Sequence, residues 1–317
     1  MNIRALFGVF LILFFIPFKW VSGQSLLSDL GFSGQFFLSY EHTTGIEDVN
    51  NEFFFKRGYI TFRSEISERV SIRFTQDVSV DQEGDGAGDI ELRLKYALVN
   101  IDFNDVGFLK NQNVEFGVVH RPWIDFEQGI NDFRSQSPMF LDSNDYLSSA
   151  DYGFTYFAQL GDELPEELQE GMNSPPGRYG SFSLGIYNGG GYAALEQNNN
   201  KLIEARMSIR WLPKRLPGLQ TSFFGDYGKG NHTQNPDFRL AGGAVSYEST
   251  KWAALAEGFL GVGDGDGRYL NREGEALPTM GWSVFQEFRP FKLPVSLTLR
   301  YDELVDRENE QWFVHEL

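Results

Sequence analysis

From Gly31 onward, apolar and polar positions alternate along segments of roughly ten residues, separated by clusters of Gly, Asn, Asp and Pro. In the first segment Phe32, Gly34, Phe36, Leu38 and Tyr40 share one face, and Ser33, Gln35, Phe37, Ser39 and Glu41 the other. The second sets Phe54, Gly58, Ile60 and Phe62 against Arg57, Tyr59, Thr61 and Arg63, with Lys56 on the apolar side at an interfacial position. The third opposes Val70, Ile72, Phe74, Val78 and Val80 to Ser71, Arg73, Thr75, Asp77 and Ser79. The fourth opposes Ile90, Leu92, Leu94, Tyr96 and Leu98 to Glu91, Arg93, Lys95 and Ala97. The pattern returns where Glu204, Arg206, Ser208 and Arg210 share a polar face, and again with Arg300 and Asp302. Weaker, Gly-rich aromatic segments near 180–192, 219–229, 238–249, 252–263 and 280–289 bring the total to about thirteen complete strands.

Strands of this length and period suit a sheet that crosses a bilayer, with one face to lipid and one to a lumen. A soluble sandwich or jelly roll also alternates. It does not repeatedly place charges at the centre of one face while the other ends in Tyr, Trp or Phe, as interfacial girdles do. The pattern therefore predicts an all-β fold, a transmembrane antiparallel β-barrel of about 14–16 strands.

One connection breaks the rhythm. Val114–Trp123 and Asp151–Ala158 read as strands, and the stretch between them, Ile124 to Asp142, has no clear periodicity. A connection of that length in a compact domain is functional or disordered. The aromatics Trp123, Phe126, Phe133 and Phe140 argue against disorder. In a wide barrel such a segment folds back into the lumen as a constriction loop, with Glu127 and Arg134 as the residues that pin or line it. Other connections alternate between long ones (the acidic stretch ending in Pro175-Pro-Gly177, and Gly263 to Pro278) and tight ones (Ser64–Arg69 and Pro213–Gly218). Long loops outside and short turns in the periplasm are the expected arrangement.

The start of the chain changes the compartment. Met1-Asn-Ile-Arg4 is basic, Ala5 to Val21 is mostly apolar, and Val21-Ser-Gly23 offers small residues for cleavage, so residues 1–23 read as a signal peptide and 24–317 as the barrel. No Cys occurs, which excludes disulfides, thiol chemistry and a lipoprotein anchor. After residue 23 no run of some 18 apolar residues remains, so helical spans are excluded from the mature chain. The formal net charge is −17; removing Arg4 and Lys19 with the leader makes it −19. Such acidity excludes binding to nucleic acid by general attraction. The excess sits largely in connections (Asp81, Glu83, Asp85, Asp89; Asp162 to Glu170; Asp264 to Glu275), where it can meet divalent cations of a lipopolysaccharide layer.

The order His120-Arg-Pro-Trp123, Phe126-Glu127, Phe133-Arg134, Met139-Phe140-Leu-Asp142 and Ser149-Ala-Asp-Tyr-Gly153 resembles the phosphate-selective porin O/P family, in the form found in Bacteroidetes-type outer membranes. Weaker echoes at Phe55–Tyr59, Ala254–Gly258 and Arg300–Asp302 extend the resemblance over most of the mature chain. It implies an outer-membrane porin, commonly a homotrimer, with an arginine track past a lysine-containing constriction. The loop here has Arg134 and no Lys, so phosphate selectivity does not carry over, and a general or weakly cation-tolerant pore fits equally.

Candidate chemistry is sparse. The four His are far apart in sequence, and no GxSxG, HExxH or P-loop occurs. Asp264-Gly-Asp-Gly267 lacks the remaining ligands of an EF-hand and reads as a flexible acidic loop. What remains is the polar face of the strands: Arg57, Arg63, Arg73, Arg93, Lys95, Arg206, Arg210 and Arg300, with Arg121 beside the constriction, are the expected pore-lining cations. The expected function is passive diffusion of small hydrophilic solutes or ions, anions such as phosphate among them, with no cofactor. The alternatives are a barrel enzyme with a His-Ser-Asp rim or a plugged barrel serving adhesion or assembly. Gln311–Leu317 is short for a spanning strand, which suggests a fragment of a sixteen-stranded barrel rather than a complete fourteen-stranded one.

Overall fold

The computed structural model describes residues 30–44, 49–81, 86–133, 137–290, 295–306 and 311–316. The expected leader, Glu83, Asp85 and Arg134 lie outside the described residues. Among the described residues fourteen antiparallel strands pair in chain order: β1 (Gly31–Thr44), β2 (Val49–Ser67), β3 (Val70–Val80), β4 (Ile90–Phe103), β5 (Leu109–His120), β6 (Ala150–Leu160), β7 (Gly180–Tyr187), β8 (Leu202–Ile209), β9 (Gln220–Lys229), β10 (Asp237–Glu248), β11 (Trp252–Val262), β12 (Pro278–Phe288), β13 (Leu297–Asp306) and β14 (Gln311–Glu316). The sheet is a single up-and-down meander with β1 and β14 as its edges, the wall of a transmembrane β-barrel.

Period-two alternation explains which face is which. Phe32, Phe36, Leu92, Phe116, Phe223, Leu260, Leu297 and Leu299 lie exposed on the outer face, while Asp77, Glu204, Arg206, Ser222, Glu257, Arg300 and Asp302 are buried on the inner one. Exposed apolar side chains beside buried charged ones invert the soluble arrangement, as a lipid solvent requires.

Of four register shifts among the described residues, two change the faces read from alternation. The register passes from Phe37↔Arg57 to Leu38↔Phe55, skipping Lys56. Before the bulge Phe53 and Phe55 oppose the outward Tyr40 and Leu38, so Phe54, expected on the apolar side, pairs instead with Ser39. In β4 the register passes from Thr75↔Tyr96 to Gln76↔Leu94, skipping Lys95. Tyr96 and Leu98 thereby move to the lumen, opposite Thr75 and Arg73, and not to the apolar face shared by Ile90, Leu92 and Leu94. One inserted residue shifts every later side chain to the opposite face.

The β5–β6 connection is the inserted segment. It contains helix α1 (Pro122–Ile130) and the single turn α2 (Phe140–Ser143). Pro122 opens α1, where its missing N–H costs nothing, and Asp125 sits in the positive first turn. Trp123, Phe126, Glu127 and Ile130 fall at i, i+3, i+4 and i+7 and make its buried face. The segment expected to lack periodicity therefore carries a short amphipathic helix.

Because the meander alternates direction, the β5–β6 connection shares one rim (here the upper) with residues 188–201 and 263–277. The β6–β7 connection, residues 161–179, shares the opposite, lower rim with the short turns at 68–69 and 249–251. The expectation that long connections all leave one rim is thus corrected: 263–277 obeys it and 161–179 does not.

Candidate functional site

The inserted segment divides the lumen. On one side Trp123, Phe126, Ile130, Met139, Phe140 and Leu141 join inward residues of β8 to β13, among them Phe224, Leu240, Leu255, Phe259 and Phe285, in one apolar core. Trp123 stacks on Phe224 with centroids 4.0 Å apart and planes 11° from parallel. Inward glycines make room for this packing: a Cβ on Gly281 would lie 2.8 Å from the Phe140 ring.

Polar anchors reinforce the core. Arg121, fully buried, donates from Nε to Glu204 Oε2 (2.6 Å) and from Nη2 to Asp226 Oδ1 (2.7 Å). Its Nη1 lies 3.9 Å from Asp151 Oδ2, an ionic contact too long for a hydrogen bond. Burial alone would lower the Arg121 pKa, but Glu204, Asp226 and Asp151 together raise it further, so the cation persists. Glu204 Oε1 accepts the Trp123 N–H at 2.8 Å. Arg206 donates to the Pro122 carbonyl (3.0 Å), and its guanidinium lies 4.6 Å from the Phe126 ring centroid. Arg300 chelates Asp302 with Nε and Nη2 and donates from Nη1 to the Pro138 carbonyl (2.6 Å). Glu127 accepts weakly from Phe140 N–H at 3.5 Å and shares a hydrogen bond with Glu257. Burial pushes the Glu127 carboxyl well above the usual carboxylate range, and the neighbouring Glu257 charge adds to this. Glu257 also accepts from Trp123 Nε1 at 3.0 Å.

On the other side of α1 the lumen holds a cavity. A cavity of about 390 Å³ is bordered by Ser33 and Gln35 of β1, Tyr59, Thr61 and Arg63 of β2, Arg73 and Thr75 of β3, Lys95 and Tyr96 of β4, His120 of β5, and Asp125, Gln128 and Asp132 of the inserted segment. Asp125 and Gln128, at i and i+3, lie on the face of α1 opposite its core stripe, and Asp132 follows just past the end of the helix. Cations from three adjacent strands thus confront two carboxylates across the opening. Arg73 is held by Thr75 Oγ1 (3.1 Å), by His120 Nε2 (2.8 Å) and over the Tyr96 ring at 4.3 Å. His120 is oriented in turn by Glu115, whose oxygens lie 2.7 and 2.8 Å from Nδ1. Lys95 Nζ donates to Ser149 Oγ (2.9 Å) and lies 4.7 Å from the Tyr59 ring centroid. Burial raises the Asp132 carboxyl, and Glu287 raises it further.

The nine expected pore-lining cations therefore separate into three groups. Arg63, Arg73 and Lys95 border the cavity. Arg57 and Arg93 flank it nearer the upper rim and both reach Asp77 at 3.3 Å, to which Tyr192 also donates at 3.0 Å. Arg121, Arg206, Arg210 and Arg300 are corrected: all four are buried, bonded to the inserted segments or to the wall beside them, and do not border the cavity. Their polar-face position was readable from alternation, but what covers them was not. Glu127 pins rather than lines. Asp125, Gln128, Asp132 and His120 were not anticipated; the first two needed the helix to be recognised.

No protein-family model matches the chain, and no curated protein matches it significantly. Among solved structures it is similar to OmpF of Salmonella typhi, in complex with daunomycin, at 14% identity and a TM-score of 0.58, over 91% of this chain and 82% of that one. A loop L8 deletion mutant of OmpT, an outer membrane protein of Vibrio cholerae, aligns at 10% identity and a TM-score of 0.48, over 87% and 81% of the two chains. OccD3 (OpdP) of Pseudomonas aeruginosa aligns at 14% identity and a TM-score of 0.40, over 90% of this chain and 58% of its own. The similarity to OmpF establishes the fold: this chain has the β-barrel fold of outer-membrane porins.

Proposed function

We propose that the chain is a porin of a Gram-negative outer membrane, passing small hydrophilic solutes and ions by diffusion past α1. The observation that carries this reading is the cavity between wall and inserted segment, basic on β2 to β4 and acidic at Asp125 and Asp132. Opposed charges across a narrow, partly desolvated opening set up a transverse field, which orders water and favours polar solutes over apolar ones. The barrel fold supports the location. In this orientation the acidic connections at the upper rim face outward, toward the divalent cations of lipopolysaccharide. Kinship with the phosphate-selective porin O/P family rests on the segment from His120 to Gly153, and assembly as a homotrimer rests on that kinship alone. Asp125 and Asp132 oppose the cations, which counts against a strong preference for anions such as phosphate.

The function is a passive pore rather than catalysis. His120 is engaged by Glu115 and Arg73, and His232 Nδ1 accepts the backbone N–H of Gln234. Planar-bilayer recording of the purified protein in asymmetric KCl tests the proposal. Discrete conductance steps are expected, with the reversal potential moving toward cations in Arg73→Ala and toward anions in Asp125→Asn. Absence of any conductance would favour the plugged-barrel alternative.

A further inference from the structure

The half of the lumen away from the cavity is closed from two ends. At the lower rim, the β6–β7 connection turns inward beneath α1. Glu248 accepts the N–H of Asn173 at 2.8 Å and that of Ser174 at 3.3 Å, and Gln220 Nε2 donates to Ser174 Oγ at 2.9 Å. Arg210, 1% exposed, donates to three backbone carbonyls, those of Pro175, Gly177 and Pro217. Gly129 of α1 faces the Asn173 carbonyl, which would lie 3.6 Å from an added Cβ. At the upper rim, the β11–β12 connection covers the other end of the insertion. Tyr269 stacks on Tyr146 at 4.9 Å and donates to the Asn144 carbonyl at 3.3 Å, and Gly265 N–H donates to the Tyr146 carbonyl at 3.1 Å.

A barrel of this strand number is too wide for its own wall side chains to fill. Here the surplus space on the β7–β13 side is occupied by three connections and one apolar core. Ser222 and Ser246, inward-facing near the lower rim, would look into an open vestibule if only α1 narrowed the lumen, yet they are 1% and 2% exposed. A buried guanidinium that ties the Pro175 and Gly177 carbonyls of the loop to the Pro217 carbonyl of the β8–β9 connection holds the loop firmly, since releasing it leaves both the charge and the carbonyls unpaired.

We propose that residues 161–179 form a second inserted segment, positioned from the lower rim by Arg210 and Glu248, which with 263–277 seals half of the lumen. Solutes then pass only through the crescent between α1 and the β1–β5 wall. Arg210 and Glu248 are positioning residues, acting on the solute path through the loop they hold. This inference rests on the pore reading above and adds to it the route and the element that imposes it.

The cysteine-free sequence allows a direct test. Gln35→Cys, Arg63→Cys, Ser222→Cys and Ser246→Cys are made singly in the full chain and reconstituted in lipid. Each is treated with a charged, membrane-impermeant thiosulfonate, while labelling is followed by mass and conductance in a bilayer. Gln35→Cys and Arg63→Cys are expected to label fast and to reduce conductance stepwise. Ser222→Cys and Ser246→Cys are expected to label roughly ten-fold or more slowly, because the loop must open to admit reagent, and to leave conductance unchanged. Adding Arg210→Ala to Ser222→Cys is expected to restore fast labelling; if that pair fails to fold, Glu248→Gln replaces Arg210→Ala. Fast labelling of Ser222→Cys or Ser246→Cys in the otherwise native protein overturns the sealed half while leaving a conducting pore intact. Slow labelling that neither release variant speeds up overturns the anchoring role. Unequal labelling without conductance overturns the pore reading alone.

Discussion

The guanidinium of Arg121, at the foot of α1, donates to the carboxylate of Glu204 on β8 at 2.6 Å, with both side chains wholly out of solvent. The other oxygen of Glu204 takes the N–H of Trp123 at 2.8 Å, so one carboxylate fixes both the entry residue of the helix and its first aromatic anchor. With Asp226 and Asp151 also around it, Arg121 sits among three buried acids.

Removing that cation leaves uncompensated buried charge. Arg121→Leu is expected to lower stability by about 3–5 kcal/mol, well beyond the loss of a surface pair. Denaturant-induced unfolding of the lipid-reconstituted protein measures this. A loss below about 1 kcal/mol would mean that the acids are satisfied by protons and not by Arg121.

Trp123→Ala deletes the ring that stacks on Phe224 and the indole N–H given to Glu257. A cost of about 3–5 kcal/mol is expected from the cavity and the lost stack. Single-channel recordings should also become noisier, because α1 loses its main purchase on the wall.

Charge selection at the cavity should depend on salt. In the proposed pore Arg63 and Arg73 act on passing ions through solvent, and screening shortens their reach from about 10 Å at 0.1 M to about 3 Å at 1 M. Reversal-potential differences between wild type and Arg73→Ala should therefore shrink as the mean KCl concentration rises. Equal differences at both salts would place Arg73 outside the ion path.

The β11–β12 connection carries a pH-dependent element outside the strands. Asp264, 1% exposed, accepts the N–H of Arg268 and Tyr269 through Oδ1, yet burial pushes its carboxyl up to about 6. A folded-state pKa above the unfolded one means that the folded protein binds the proton more tightly. The stabilisation is full below the unfolded value of about 3.9 and is lost as pH rises through about 6, by up to about 3 kcal/mol. Thermal unfolding at pH 4 and pH 7 should differ more for the wild type than for Asp264→Asn, which keeps the acceptor oxygen without the charge. The same difference in both proteins would exclude Asp264 as the source.

Alternation over short windows was enough to predict a membrane-spanning sheet, because lipid outside and charge inside impose a period of two on every strand that crosses. It assigned Arg63, Arg73, Glu204 and Arg300 to the inner face, and the aromatics after Trp123 announced that the long connection packs inward. Local pattern could not reveal the bulges at Lys56 and Lys95, since a skipped residue becomes visible only once the partner strand fixes the register. Nor could it separate a cation that meets solute from one that grips a loop. Arg73 and Arg206 both interrupt apolar neighbours in the same way, yet one borders the cavity and the other is buried beneath Pro122.

Sequence by itself determined the element type, the inward and outward faces of most strands and the place of the insertion, because each depends on residues within one strand or one connection. Tertiary structure alone decided which side of the lumen holds the cavity and which the apolar core. That outcome depends on contacts between positions as distant as Arg121 and Asp226, or Arg300 and Pro138, whose burial exists only after the wall has curved and the insertion has chosen a side.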